Sequence, residues 1–256
     1  MIIWIKTPSY GFFILSFLLP ESFTHNALVD FQKLLADKDC HTLYNMCRGT
    51  LTMFYKKYRD TRDASWKVLI KCKVDALPVK IADICRRMKI KAIPYTNEIL
   101  QIYDVNWNET DGFCVLVHNR PVIFYNSDKS KGRQRFTIAH ELGHIIRGHL
   151  DTRSMINREP DPQHDSPEEH EANIFASRLL APACVLWGCN VTSAQQIASM
   201  CDISITSAKF RMKRMEELYE RERRFYTKYG KSCFLQSPME RKVYKQFIKY
   251  VEEHKL

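Results

Sequence analysis

No stretch of this 256-residue chain is long and apolar enough to cross a bilayer as a helix. The apolar run at residues 10–19 is about half the roughly 20 residues a helical span needs, and Pro20 and Glu21 end it. Lys6 ahead of the run gives it the look of a signal peptide. No small-residue cleavage site follows, so a packed segment is expected there instead. Cys-x-x-Cys pairs are missing as well. The nine cysteines (Cys40, Cys47, Cys72, Cys85, Cys114, Cys184, Cys189, Cys201 and Cys233) make an odd count. That excludes a fully paired disulfide framework and argues for buried, reduced thiols in a cytoplasmic protein. Cys184 and Cys189 are expected in the interior, not around a second metal. An acidic surplus is lacking too: the formal charge is +10, a balance that suits anionic partners such as nucleic acid or an acidic protein surface. An apolar content of 45% is ordinary, enough for one compact domain with a smaller appendage.

What the chain does contain is the segment Phe136-Thr137-Ile138-Ala139-His140-Glu141-Leu142-Gly143-His144. On a helix of 3.6 residues per turn, His140 and His144 lie one above the other on the same face. Two imidazoles so placed can each give a nitrogen to one tetrahedral Zn²⁺. Glu141 lies about 100° round the helix, beside the metal, where a carboxylate can take a proton from water. Ile138, Leu142, Ile145 and Ile146 let such a helix be buried and held rigid. The bland alternative is a chance pattern in a chain with nine histidines.

A catalytic zinc site needs a third protein ligand and one open position. The elongated motif with a Gly and a His after the second histidine is not met, because Arg147 and Leu150 stand at those places. His149 projects away from His140 if the helix continues, which predicts a solvent-facing or helix-capping residue, and Gly148 suggests termination. The third ligand is expected downstream, in a helix read over residues 167–182. Ser166 is its N-cap, Pro167 its first residue, and acids fill its first turn. Glu169, Ala172, Asn173, Ala176 and Leu180 share one face, and its small residues permit close approach to the histidine helix. Glu169 then reaches the metal, and Asn173 orients a ligand histidine by hydrogen bonding. Glu171, on the face of Ile174, Phe175 and Arg178, is the other candidate. Glu168 and His170 read as a solvated helix start.

The chain divides on this reading into an N-terminal extension of unclear role (residues 1–63), a catalytic body (64–190) and a helical C-terminal region (191–256). Residues 28–58 read as weakly patterned helix, and residues 66–72 and 79–88 repeat apolar positions at helical spacing. Residues 90–95 alternate as a strand, and residues 113–117 and 121–126 form a hairpin with His118 in its turn. The second hairpin strand, through Ile123, Tyr125 and Asn126, leads into the histidine helix; it reads as an ordinary sheet strand, and similarity to zincin-type proteases implies that it also offers a free edge to an extended substrate peptide. A loop carrying Pro160 and Pro162 is placed beside the cleft, and residues after Pro182 read as a linker to Thr192. Ser193 and Gln196 form a capping box. The helix that follows, a turn at Ser204 and a long basic helix resemble a DNA-reading unit. Arg211, Lys213, Arg214, Arg221, Arg223 and Arg224 alternate with Glu216, Glu217, Glu220 and Glu222, however, which predicts an exposed, self-paired face. Binding to DNA is therefore expected to be weak.

Residues 135–144 and 169–182 together resemble the ImmA/IrrE family of metallo-endopeptidases. The family reads Arg-Phe-Thr-x-Ala-HELGH followed by Glu-x-x-Ala-Asn-x-Phe-Ala-x-x-Leu-Leu-x-Pro, and both blocks are nearly unbroken here. Weaker likeness covers Leu77-Pro78-Val79 with the helix after it, residues 121–126, and the block from Ile203-Ser204 through Arg211, Arg214 and Met215. In all it extends from Trp66 to the C-terminus. The resemblance implies an α+β, zincin-like domain, a small sheet with an HExxH helix, followed by a helical, helix-turn-helix-like region. It also implies a zinc-dependent, site-specific protease. Relatives cleave a helix-turn-helix repressor and so release transcription of mobile-element or stress-response genes. The rival is a non-catalytic regulator that binds a repressor or DNA on a zincin scaffold. An intact Glu141 weighs against it, since a scaffold has no chemical need of that carboxylate. No Tyr or Arg singles itself out as the group that stabilises an oxyanion.

Overall fold

The computed structural model describes residues 3–7, 11–15, 40–103, 110–150 and 166–255, with side chains from residue 56 onward. The chain separates into two compact units, residues 1–56 and 57–256. In the first, β1 (Ile3–Thr7) pairs antiparallel with β2 (Gly11–Leu15). Part of the apolar run at residues 10–19 is thus a strand. Helix α1 (Cys40–Lys71) takes up the later part of the helix expected over residues 28–58, whose residues 28–39 lie outside the described ones. The expected boundary at 63/64 falls at 56/57.

In the second unit, helix α2 (Ile81–Met88) leads into β3 (Lys91–Pro94), and α3 (Asn97–Ile102) precedes the hairpin β4 (Gly112–Val117) and β5 (Arg120–Tyr125). His118 and Asn119 form the hairpin turn, both at positive φ (49° and 59°), which matches the strand twist. The sheet order is β3-β5-β4: β5 pairs parallel with β3 and antiparallel with β4. Successive side chains alternate between faces. Cys114 and Ile123 join the main core, while Phe113, Val115, Val122 and Phe124 form a second cluster with Leu100 of α3.

This topology corrects the free edge expected on the second hairpin strand. β5 is the central strand, Ile123 is fully buried, and Tyr125 is paired on both sides, with Pro94 and Gly112. Asn126 donates its N–H to the Asp111 carbonyl at 2.8 Å, and its side-chain oxygen accepts from the N–H of Asp128 at 2.9 Å. Alternation at residues 90–95 announces a strand, but a local pattern does not say which neighbour it pairs with. β3 takes the place a substrate would need.

Helix α4 (Lys131–Arg147) starts at Ser130, whose hydroxyl accepts from the Arg133 N–H, and stops at Gly148, in the left-handed region at φ 75°. Helix α5 (Pro167–Leu180) is capped by Ser166, with Pro167 in its first turn. The two helices pack closely because Gly143 lacks a side chain: a Cβ there would lie 3.2 Å from both Ala172 Cα and Phe175. Ala172 and Ala176 are fully buried.

The stretch read as a linker after Pro182 holds a short buried helix, α6 (Ala183–Gly188). Six residues are too few for periodicity to distinguish it from a loop. The capping box at Ser193 and Gln196 opens α7 (Ala194–Cys201), and Ser204 caps α8 (Ile205–Tyr229). Helices α9 (Pro238–Gln246) and α10 (Ile248–Glu253) complete the chain. Ile197, Met215, Val243 and Phe247 lie in the same core as Trp66 and Leu142. The boundary expected at 190/191 lies inside this shared core. Among the described residues, no helix is long and apolar enough to cross a membrane.

The face of α8 is less uniformly exposed than its charge pattern suggests. Arg211 is 2% exposed and donates from Nε to the Ala181 carbonyl at 2.8 Å. Burial, with Arg178 nearby, brings its guanidinium down to about 9. Arg178 donates to the Tyr58 hydroxyl from Nε at 3.0 Å and also from Nη2, and Arg214 lies over the Tyr58 ring, 5.4 Å from its centroid. Burial pushes the Tyr58 phenol up, but Arg178, Arg214 and Arg211 outweigh it and lower the group from 10 to about 8. An acid depressed by folding stabilises the fold fully above its unfolded value and loses that contribution as pH falls through its folded value. An absorbance step at 295 nm near pH 8, absent from Tyr58→Phe, is the expected signature. A first phenolate step no lower than pH 10 would contradict it.

Candidate metal centre

The two histidines of α4 and one carboxylate of α5 converge. His140 Nε2 lies 3.1 Å from His144 Nε2. Glu169 reaches both, with Oε2 3.2 Å from His140 Nε2 and Oε1 3.2 Å from His144 Nε2. The α4 spacing stacks the rings, and the first turn of α5 brings the carboxylate across from them. Bonds of about 2.0–2.1 Å meeting near the tetrahedral angle place donor atoms about 3.3 Å apart. The three ligand side chains approach one another to 3.1–3.2 Å, through one carboxylate oxygen for each imidazole, which suits one small divalent ion.

Burial is graded across the centre. The side chain of His144 is fully enclosed and that of His140 is 8% exposed, whereas Glu169 is 23% exposed. Access to the donors thus lies on the Glu169 side. The loop with Pro160 and Pro162, expected to flank the cleft, lies outside the described residues. Glu141 is 1% exposed, on the helix that carries both histidines.

Hydrogen bonds orient the rings. Asn173, one turn beyond Glu169, has its Oδ1 3.0 Å from His140 Nδ1. A proton on Nδ1 donated to that oxygen leaves the Nε2 lone pair facing the other donors. Glu171, the alternative ligand, points elsewhere. Its carboxylate is held by Lys57 Nζ at 2.6 Å and Arg147 Nε at 2.7 Å, about 200° round the helix from Glu169. Glu168 and His170 stand outside the three-donor cluster.

His149 corrects an expectation. It does not face solvent: its side chain is 9% exposed, and its Nδ1 lies 3.0 Å from His144 Nδ1, while only its backbone closes the helix end. The helical wheel fails there because Gly148 turns the backbone into the left-handed region, after which the His149 N–H bonds the His144 carbonyl at 3.0 Å. Burial and the neighbouring His144 push the His149 imidazole down to about 4. Gly148 gave the sequence signal for this turn. The partnership of Lys57 with Glu171, 114 positions later, left no local trace.

A small sheet, a buried helix carrying HELGH and a carboxylate from the next helix define the class: an α+β, zincin-like metallopeptidase domain with helices packed after it. Residues 98–213 match the Peptidase M78 family, described as the IrrE N-terminal-like domain. The matched region begins in α3 and ends within α8, so it holds the whole three-donor site. Comparison with curated proteins gives no match.

Proposed function

We propose that the chain is a zinc endopeptidase whose centre is His140, His144 and Glu169, with Glu141 as general base and acid. The observation that carries this reading is the convergence of His140, His144 and the Glu169 carboxylate, with pairwise approaches of 3.1–3.2 Å, beside a buried Glu141. When bound, zinc supplies Lewis-acid polarisation of the scissile carbonyl and a lowered pKa for the attacking water. The protein residues do the rest. Glu141 takes a proton from the attacking water and passes it to the leaving amine. Asn173 holds His140 in the tautomer that keeps Nε2 available as a donor. The buried walls around His144 exclude competing solvent, and the substrate approaches from the exposed Glu169 side.

The resemblance of the two motif blocks supports a helix-turn-helix repressor as the substrate, cut at one site in the cytoplasm, with release of mobile-element or stress-response genes as the consequence. The test is elemental analysis of the full chain, followed by incubation of the zinc-loaded protein with such a repressor. One zinc per chain and a single cleaved bond are expected. A chain that takes up no zinc, or a zinc-loaded chain that leaves the repressor whole, removes this reading.

A further inference from the structure

Among the described residues, the side chains tied to the centre through His144 form a line leading away from it. His144 Nε2 faces the donor cluster, and its other nitrogen, Nδ1, meets Nδ1 of His149 at 3.0 Å. On the far side of that ring, His149 Nε2 lies 3.5 Å from Glu171 Oε2. Glu171 is 5% exposed and clamped by Lys57 and Arg147, so a buried carboxylate with two cationic partners anchors the outer end. Its charge is fixed in place and balanced, and it does not compete for the metal.

The protons on this line have one consistent arrangement. A donor lone pair on His144 Nε2 requires the proton on His144 Nδ1. That N–H then needs an acceptor, because His144 is fully buried and a buried donor left unpaired is costly. The neighbouring atom is His149 Nδ1, which accepts only when the His149 proton sits on Nε2. That proton then points toward the Glu171 carboxylate. Asn173 performs for His140 what this pair of residues performs for His144, with an amide oxygen in place of an imidazole.

We propose that His149, backed by Glu171, is a positioning residue that holds His144 with Nε2 turned to the metal. The proposal rests on the metal-centre reading above. It concerns a histidine contributed from beyond the end of α4, brought back only by the turn at Gly148. Loss of an orienting partner of a metal-bound histidine typically weakens metal binding by about 10–100-fold.

The test uses the full-length chain and zinc itself, with affinity read by competition against a chromophoric chelator. His149→Ala is expected to bind zinc about 10–100-fold more weakly than wild type. His149→Asn puts an amide oxygen near the position of Nδ1 and is expected to recover most of the affinity, which a packing role alone would not produce. Long-range ¹H–¹⁵N spectra of the zinc-loaded wild type should show the His144 proton on Nδ1. Wild-type affinity in His149→Ala, or a His144 proton found on Nε2, overturns the proposal. A His149 proton found on Nδ1 in that spectrum overturns the proposal even if His149→Ala fails to fold. Failure of the wild type to take up zinc at all would strike the metal-centre reading instead.

Discussion

Glu141→Gln is expected to keep its metal and lose its activity. The substitution preserves the shape of a side chain that is 1% exposed on α4 and leaves His140, His144 and Glu169 with their mutual distances. It removes only the ability to accept and return a proton. Positioned acid–base groups contribute about 10²–10⁴-fold, so kcat for repressor cleavage should fall by at least about that factor while zinc content stays near wild type. Elemental analysis and a cleavage assay on the same preparation check both halves. Should Glu141→Gln empty the site as His140→Ala and His144→Ala are expected to do, the carboxylate is holding the metal and its assigned chemistry is wrong.

The second large effect separates two glutamates that stand two residues apart. Glu169→Ala removes a donor 3.2 Å from both imidazoles and should weaken zinc binding by more than the roughly 10–100-fold typical of an orienting partner. Glu171→Ala leaves all three donors in place. Its first cost is in stability, because Lys57 and Arg147 lose their shared counter-charge beside a buried position. Its effect on zinc should be milder and comparable with that of Asn173→Ala, which removes the oxygen 3.0 Å from His140 Nδ1. Chelator competition on the three variants, alongside their urea midpoints, gives the order. If Glu171→Ala lost zinc more completely than Glu169→Ala, the ligand assignment would pass to Glu171.

The arginines of α8 show how charge pattern and burial part company. Alternating acids and bases read as a solvated face, and Lys209 and Lys213 do lie exposed. Arg211, two positions after Lys209, is instead enclosed and bound to the Ala181 carbonyl. Its substitution would disturb the core before it reported on any DNA contact. A residue's formal charge says what partner it needs, not whether that partner is water.

Local interactions settled what the sequence determined by itself. The i, i+4 spacing of His140 and His144, the caps at Ser166, Ser193 and Ser204, the stop at Gly148, and the small face of α5 with Glu169 and Asn173 are each decided within a turn or two of chain. Such short-range rules carry over unchanged into the folded molecule. Tertiary structure decided the remainder, because it depends on segments distant in sequence. β3 pairs on β5 and leaves that strand no free edge, the C-terminal helices share the body's core, and Lys57 reaches across to Glu171. His149 belongs to both groups. Gly148 foretold the turn after α4, and only the packed fold determined that the turn would press the ring of His149 against His144.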